Sequence, residues 1–322
     1  MKRPLLAFIL AGCALLLLAV LGLAVGRYPI NLFASLDATA QDVLWRIRAP
    51  RVLAAILVGA ALSGAGAAYQ QLFRNPLVSP DILGVSAGSA LGAVLGIFLS
   101  RDVVTIQAMA FLGGIATVAL VYSIGNAMRG HDPLLTLVLA GVLVGALAGA
   151  GVGLLKYIAD PYNQLPAITF WLLGSLSGIA PPDLLSTLPA VLIGLLPLWL
   201  LRWQIDTLSL GDEEARALGV AVRPVRLSVI AGATLITAAV VSVSGIIGWV
   251  GLLVPHMARL LVGPRFVLLL PASLLLGGGY MLAVDTLARG SVAMEIPLGI
   301  LTALIGTPVF IWVLLKARRS WQ

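Results

Sequence analysis

Leu208-Ser-Leu-Gly-Asp-Glu-Glu-Ala-Arg-Ala-Leu-Gly-Val220 is a short polar stretch in a chain that is otherwise almost continuously apolar. Asp212 is placed to cap the start of a helix, and Glu213 and Glu214 then lie in its first turn, where the helix dipole favours negative charge. Gly219 is placed to end that helix. The stretch therefore predicts a short polar helix between two apolar segments.

The same helix would carry a small apolar surface. Ala215 and Leu218 are three residues apart, so on a helix they share one face and form an apolar knob between charged side chains. Two interpretations are open from this stretch alone. It is either an ordinary polar loop helix or a coupling helix that docks into a separate motor protein, and the rest of the chain decides between them.

The composition is that of a membrane protein. Hydrophobic residues make up 60% of the 322 residues and charged residues only 10%, whereas soluble domains carry roughly 25% charged residues. The net charge of +7 does not require nucleic acid as a partner, because the cytoplasmic loops of membrane proteins collect Lys and Arg. The single cysteine, Cys13, excludes an intrachain disulfide framework and a cysteine-based metal cluster.

Apolar runs of spanning or nearly spanning length follow one another along the chain. They cover residues 5–25, 51–71, 84–100, 105–127, 134–156, 187–201, 226–245, 246–262, 267–288 and 297–315. These runs predict an all-α, polytopic membrane protein with about ten transmembrane helices. The run at 84–100 is short and rich in glycine, and Val243–Gly248 predicts either a loop or a re-entrant bend.

Basic residues predict the orientation of the chain in the membrane. An even number of spans leaves both termini on one side, and both ends are basic, with Lys2 and Arg3 at one and Arg318 and Arg319 at the other. The positive-inside rule places these ends in the cytoplasm. The loop at about 203–225, which holds the short polar helix, then also faces the cytoplasm.

Motifs for chemistry on a substrate are missing from the sequence. No G-x-x-x-x-G-K-[ST] phosphate loop occurs, and the only lysines are Lys2, Lys156 and Lys316. Neither a His-Glu-x-x-His motif nor a nucleophile elbow is present. The chain is therefore predicted not to be an enzyme and to hold no cofactor or metal of its own.

Asp285 is the clear acidic residue within a predicted span. It precedes Arg289 by four residues, so the two side chains can pair on one helix face. The pair is either a structural ion pair or part of a proton relay, since ionisable groups inside the bilayer mark both.

Six motifs, in order along the chain, carry a family resemblance. They are Arg48–Ala55 (RAPRVLAA), Arg74–Ser86 (RNPLVSPDILGVS), Gly211–Gly219 (GDEEARALG), Gly251–His256 (GLLVPH), Glu295–Ile300 (EIPLGI) and Leu304–Phe310 (LIGTPVF). Together they resemble the FecCD family of bacterial ABC-importer permeases, whose members carry iron–siderophores, haem and cobalamin. The likeness covers nearly the whole chain.

The resemblance implies a transporter assembled from several subunits. The chain would be a single transmembrane permease domain over residues 1–322, paired with an identical or related second permease. Two cytoplasmic ATPase subunits would bind ATP and Mg, and a periplasmic or lipid-anchored binding protein would deliver the cargo. The assembly would sit in a bacterial or archaeal plasma membrane and would not involve nucleic acid. Coupling to the ATPase would fall to the polar helix, at Asp212, Glu213, Ala215, Leu218 and Gly219.

The resemblance also implies a docking site for the binding protein. Arg48 and Arg51, at the start of the second span, and Arg289, near the end of the ninth, match arginines that receive acidic residues of the binding protein. Arg46 is a further candidate. Each exposed pair would contribute only about 0.2–1 kcal/mol, so the expected effect is on orientation and on-rate. Snorkelling to lipid headgroups is the alternative role for these arginines.

A cytoplasmic gate is implied where the second span ends. Pro76 is expected to stop the helix and to leave Asn75 and Leu77 displayed at its tip. A plain helix stop is the alternative. A second gate element is expected near Asp132-Pro133-Leu134, although the residues there differ from the family's small polar ones. Residues 157–186 resemble a periplasmic half-helix that could gate the pathway from the other side.

His256 and the cargo complete the expectations. His256 is expected to be a packed, hydrogen-bonded histidine rather than an iron ligand, because no second ligand accompanies it.

The resemblance favours an iron chelate, either a siderophore or haem, with cobalamin next and molybdate or tungstate as the alternative. A secondary transporter coupled to an ion through Asp285 is a less favoured function, and a structural or assembly protein is a third.

Overall fold

The computed structural model describes residues 2–26, 28, 30, 37–128, 133–290 and 295–317. Within these residues the regular secondary structure is helical throughout, without a β-strand. The α-helices are α1 (Lys2–Ala24), α2 (Ala38–Asp42), α3 (Ala49–Leu72), α4 (Val85–Phe98), α5 (Val103–Ala127), α6 (Pro133–Ile158), α7 (Gln164–Leu173), α8 (Pro181–Leu200), α9 (Arg202–Leu208), α10 (Asp212–Ala217), α11 (Val222–Ser244), α12 (Val250–Val262), α13 (Phe266–Gly290) and α14 (Leu298–Ala317). A π-helix, Val43–Arg48, joins α2 to α3, and a 3₁₀ turn, Pro80–Leu83, precedes α4.

Each predicted apolar run coincides with a helix, so the all-α polytopic class is confirmed. Among the described residues, seven helical segments are long and apolar enough to cross a bilayer by themselves. The predicted third and eighth spans correspond to α4 and α12, which have only 14 and 13 residues. At 1.5 Å per residue these two helices reach about 20 Å, less than the ~30 Å of a hydrocarbon core.

Both short helices follow a break in the chain. The predicted irregularity at Val243–Gly248 is confirmed, since α11 ends at Ser244 and α12 begins only at Val250. The ring of Pro80, in the break before α4, lies against Gly251 at the start of α12, where a side chain would collide with it. This contact joins the first break to the start of α12, while residues 74–77 of that break remain exposed.

The centre of the molecule is α3, which packs against α11, α12 and α13. The backbones of α3 and α13 approach closely because Gly59 faces Gly277 and neither has room for a side chain. The predicted small-residue spacing from Gly59 to Ser63 is thus part of this contact, since Ser63 also lies against Gly277. The outward faces of α1, α5, α6 and α8 carry exposed leucines, as expected of lipid-facing helices.

Candidate functional site

The polar helix is α10, and its ends differ from one another. The N-cap is Gly211, with φ of 141°, so the prediction that Asp212 caps the helix is wrong. Asp212 is the first helical residue, and its carboxylate is turned to a partner on another helix. The predicted end is confirmed, because Gly219 has φ of 82° and the N–H groups of Gly219 and Val220 donate to the carbonyls of Arg216 and Ala215.

Asp212 ties α10 to α11. Both carboxylate oxygens of Asp212 lie 2.8 Å from Nη2 of Arg226, a residue that is only 8% exposed. Arg223, one turn earlier on α11, donates to the Asn126 side-chain oxygen on α5 at 2.9 Å. Both contacts involve a charged guanidinium group, and a charge-assisted hydrogen bond contributes more to stability than a neutral one. The base of α10 is therefore attached to α11, and α11 to α5.

Asp206 provides a second attachment for this part of the chain. Its carboxylate accepts hydrogen bonds from the backbone N–H of Phe266, at the start of α13, and from the Gln71 side chain near the end of α3. Sequence reasoning missed Asp206 because its partners are 60 and 135 residues away. We refer to residues 202–221, which these contacts hold in place and which include the residues predicted to couple to an ATPase, as the coupling region.

The apolar knob predicted on α10 is reduced to one residue. Ala215 is fully buried, whereas Leu218 is 55% exposed, so the expectation that both form one external surface is wrong. The helix is too short to stand away from its neighbours, and Ala215 faces the side on which α10 packs against α9 and α11. Glu213, Leu218 and Gly219 remain exposed and available to a partner.

A groove of about 890 Å³ begins beside Leu218. Its other walls come from the end of α3, from α9 and from the junction of α12 and α13. Arg74, Arg259 and Arg265 line it together with Trp203. Among the described residues, Nε and Nη2 of Arg259 are buried without a hydrogen-bond partner. The groove thus combines an exposed leucine with basic groups, which suits an acidic protein surface with an apolar centre.

The predicted gate lies in the break after α3. The sequence predicts that Pro76 stops the helix. The helix instead ends earlier, at Leu72. Arg74 takes a left-handed φ of 51°, and its N–H and that of Asn75 donate back to the last turn of α3. This is a Schellman end formed without glycine, and it terminates the helix before the proline is reached.

Asn75 and Leu77 have different roles in this turn. The Asn75 side-chain oxygen accepts the N–H of Leu77 at 2.9 Å and so stabilises the turn, while Leu77 is 51% exposed. Gln70 binds the turn to α12 by donating to the carbonyls of Val78 and Leu252. Of the second gate element, Asp132 lies outside the described residues, and Pro133 and Leu134 begin α6.

A charge cluster occupies the opposite end of α3 and α13. Its five members are Arg48, Arg51, Asp285, Arg289 and Glu295. Arg51 pairs with Asp285 and with Glu295, each at 2.9 Å, and Asp285 also pairs with Arg289 at 3.0 Å, as its position four residues earlier predicts. Arg48 instead donates to the carbonyls of Leu23 and Ala24 at the end of α1, each at 2.8 Å.

The expectation that these arginines form exposed pairs is wrong. Arg48, Arg51 and Arg289 are only 4%, 6% and 7% exposed. Burial of a guanidinium requires partners, and this chain supplies them from carboxylates and from the free carbonyls at the end of α1. Arg46 does remain exposed, in a surface pair with Asp42 at 3.0 Å. Sequence reasoning assigned no role to Glu295, although it lies in one of the six motifs.

His256 lies in α12, where its ring meets the edge of Phe310 at a centroid distance of 6.1 Å. Neither ring nitrogen has a hydrogen-bond partner among the described residues, so the packed position is as expected but the hydrogen bond is not. The described residues also contain no group of three or more His, Cys, Asp or Glu side chains arranged to hold a metal ion.

The predicted half-helix at 157–186 contains α7 and an irregular stretch that leads to α8. The Gly174 carbonyl accepts the Leu298 N–H at 3.0 Å, which joins the end of α7 to the start of α14. An apolar groove of about 750 Å³ lies here, lined by Leu172, Trp249, Ile300 and Leu304 among others. None of the described residues that line it carries a charged side chain.

Comparisons with known proteins agree with this arrangement of helices and motifs. The FecCD transport family matches residues 13–316. The chain is 41% identical to the molybdate import system permease MolB of Haemophilus influenzae, over 97% of this chain and 96% of the relative. It is 41% identical to the cobalamin import system permease BtuC of Halobacterium salinarum, over 89% and 77%. It is also 38% identical to the hemin transport system permease HmuU of Yersinia pestis, over 97% of each chain.

Among solved structures, the fold is similar to an inward-facing conformation of a metal-chelate type ABC transporter. The TM-score is 0.90 at 40% identity, over 97% of this chain and 99% of that one. The fold and these similarities thus define a permease of the ABC-importer class. The chain belongs to the FecCD transport family.

Proposed function

We propose that this chain, over residues 1–322, is a single permease domain of a binding-protein-dependent ABC importer and is driven by ATP hydrolysis in partner subunits. The observation that carries the proposal is the form of α10, whose tip exposes Leu218 while its base is tied to α11 through Asp212 and Arg226. A helix with a free tip and a fixed base transmits force from an external protein to the spans. The chain itself has no phosphate-binding loop.

The contacts of the coupling region supply a route for that force. Movement of α10 passes to α11 through Asp212 and then to α5 through Arg223 and Asn126. Movement of α9 passes to α13 through Asp206. Because α11 and α13 both pack on α3, the two routes converge on the central helix. In this scheme Glu213, Leu218 and Gly219 touch the ATPase, and Asp212 and Ala215 position the helix.

The partners follow from this role. Two cytoplasmic ATPase subunits bind ATP and Mg, so this chain needs no cofactor, metal or nucleic acid. A second permease subunit, identical to this one, completes the pathway, and a periplasmic or lipid-anchored protein delivers the cargo. The assembly lies in a bacterial or archaeal plasma membrane with both termini of this chain in the cytoplasm.

The charge cluster is the proposed docking site for the binding protein. Arg48, Arg51 and Arg289 are occupied within the chain, so an incoming carboxylate has to replace an internal partner. Glu295 is the partner best placed to be replaced, because its side chain is 34% exposed whereas that of Asp285 is fully buried. At the other end of the pathway, Leu77 is the proposed gate, with Asn75 holding its turn.

The cargo is proposed to be an iron chelate, either a siderophore or haem, or cobalamin. The groove beside Trp249 supports a bulky, weakly bound cargo because its lining is almost entirely apolar. Molybdate or tungstate is the second candidate, which the similarity to a molybdate permease favours. A nearly uncharged pathway leaves the choice among these cargoes to the binding protein.

Reconstitution into proteoliposomes tests the proposal. The chain is incorporated with and without its ATPase, and uptake of radiolabelled cargo delivered by the binding protein is followed with ATP or with a proton gradient. Uptake is expected only with both the ATPase and ATP. Accumulation by the chain alone on a proton gradient would instead identify an ion-coupled secondary transporter. Asp285 argues against that role, because its carboxylate is fully buried and already paired with Arg51 and Arg289 within the chain.

A further inference from the structure

A cavity of about 310 Å³ lies at the root of α10, apart from the groove beside Leu218. The ends of α5 and α6 provide apolar lining, including Tyr122 and Leu137. The coupling region and the start of α11 provide the charged lining, which consists of Arg216, Arg223, Arg226 and Asp212. The cavity therefore joins an apolar surface to a basic one.

The basic side has more positive than negative charge. Three guanidinium groups and one carboxylate are among the described lining residues, which leaves an excess of two positive charges. The carboxylate is already engaged, since Asp212 binds Arg226 at 2.8 Å and lies 3.8 Å from Arg216. The partner of Arg223 within the described part of the chain is the neutral side-chain oxygen of Asn126. Among the described residues, no further carboxylate lines the cavity to balance Arg216 and Arg223.

Arg226 offers a further donor that is not used. The residue is 8% exposed, and its Nε is buried with no hydrogen-bond partner among the described residues. A buried donor without an acceptor is costly to a folded protein. An anion with several oxygens would satisfy Nε of Arg226 and at the same time bridge the two exposed arginines, as guanidinium groups do with phosphate.

We propose that this cavity binds the phosphate group of an anionic phospholipid from the inner leaflet. The apolar lining from Tyr122 and Leu137 suits the glycerol and the first part of the acyl chains, and a free anion would have no use for it. Basic pockets between transmembrane helices on the cytoplasmic side bind lipid headgroups in this way. The inference rests on the orientation given in the proposed function, which places α10 on the cytoplasmic side.

The bound lipid would steady the coupling region. Asp212 and Arg226 both line the cavity and also tie α10 to α11. A phosphate that neutralises Arg216 and Arg223 therefore holds α10 against the membrane surface in the position from which it passes force to α11. Anionic lipid then becomes a requirement for efficient coupling between ATP hydrolysis and transport.

The test measures lipid binding to the full chain purified in detergent and stripped of lipid. Dioctanoyl phosphatidylglycerol, dioctanoyl phosphatidylcholine and inorganic phosphate are titrated separately, with native mass spectrometry as the readout. Phosphatidylglycerol is expected to bind, and the other two are expected to bind at least tenfold more weakly. In the double variant Arg216→Gln/Arg223→Gln the affinity for phosphatidylglycerol should fall about thirtyfold, because two cations near the headgroup are lost.

Two further variants keep the result interpretable. Arg223→Lys retains the charge and should retain most of the affinity. Arg265→Gln removes an exposed arginine that lies in the groove beside Leu218 rather than in this cavity, and it should leave the affinity unchanged. The proposal is overturned if the double variant binds phosphatidylglycerol as tightly as the wild-type chain. It is also overturned if inorganic phosphate binds as tightly as the lipid, since the source would then be free phosphate.

Failure of this inference is distinguishable from failure of the proposed function. Capture of the ATPase by the wild-type chain is measured in parallel, in the same detergent. If the wild-type chain captures the ATPase but does not bind phosphatidylglycerol, only the lipid site is rejected. Absence of ATPase capture by the wild-type chain rejects the proposed function itself.

Discussion

Most of the charged side chains of the charge cluster are buried, whereas several of those in the coupling region are exposed. In the charge cluster, Asp285 is fully buried and the arginines around it are less than a tenth exposed. In the coupling region, Asp212 has a buried partner but Glu213, Glu214 and Leu218 are exposed. Charges in the first region hold α1, α3, α13 and the residues before α14 to one another, whereas the second keeps part of its surface for another protein.

This difference in burial indicates which of the two regions can bind another protein without a change in its internal contacts. A protein that meets the coupling region finds exposed side chains on a fixed base. A protein that meets the charge cluster must compete with internal ion pairs, of which the pair between Arg51 and the partly exposed Glu295 is the most accessible. Docking at the cluster is therefore expected to be linked to a change in its pairing.

The largest effect is expected from Asp285→Asn, which breaks the cluster at its centre. The substitution leaves Arg51 and Arg289 buried without their shared carboxylate, so the free energy of unfolding should fall by about 3–5 kcal/mol. Denaturant-induced unfolding of the purified chain in detergent measures it. Asp42→Asn, which removes an exposed carboxylate, is the matched control and should cost less than about 1 kcal/mol. Equal effects of the two substitutions would contradict the structural role of the cluster.

Leu218→Asp is expected to have the second largest effect. It should weaken binding of the ATPase and leave the stability of the chain unchanged. Burial of a leucine at an interface contributes about 1.5–3 kcal/mol, so affinity for the ATPase should fall by roughly 10- to 150-fold. Pull-down and surface plasmon resonance with the purified ATPase provide the measurement. Leu99→Asp places the same change on a leucine that is 47% exposed beyond α4 and should leave the affinity as it is. Wild-type affinity in the Leu218 variant would remove α10 from the interface.

Asp212→Asn separates positioning from contact within α10. Loss of the charge-assisted bond to Arg226, at about 1.5–3 kcal/mol, should loosen the base of the helix. Cargo uptake per ATP hydrolysed in proteoliposomes should therefore fall by about tenfold or more, while ATPase capture persists. Glu213→Gln changes the neighbouring exposed carboxylate and should have a much smaller effect on this ratio. If both variants behave alike, the contact with Arg226 has no special part in coupling.

The smallest effect is expected from Arg46→Gln, which changes an exposed arginine in the π-helix that ends at Arg48 of the charge cluster. Surface pairs contribute about 0.2–1 kcal/mol, so the association rate of the binding protein should fall by less than about fivefold. The loss should disappear as salt rises, because exposed charges are screened. Stopped-flow association at two ionic strengths measures it, with Arg101→Gln as a control for net charge. A loss that does not depend on salt would exclude electrostatic steering at this position.

Local features of the molecule were accessible from the sequence. Apolar runs of spanning length identified the helices, and the break before α12 was visible as a glycine-containing run. The end of α10 at Gly219 and the pair of Asp285 with Arg289 also followed from spacing alone. The helices followed from continuous apolar runs, and the helix end and the ion pair depend on residues within about one helical turn; both kinds of signal lie within a single segment of the chain.

Only the tertiary structure decided which side chains face a partner and which face the chain itself. The sequence predicts that Asp212 caps a helix, whereas in the structure its carboxylate binds Arg226. The sequence also predicts an external Ala215, which is buried because α10 packs on α9 and α11. Arg51 finds Glu295 from 244 residues away. These outcomes depend on how helices distant in the chain pack together, and a one-dimensional pattern of residue types carries no record of that packing.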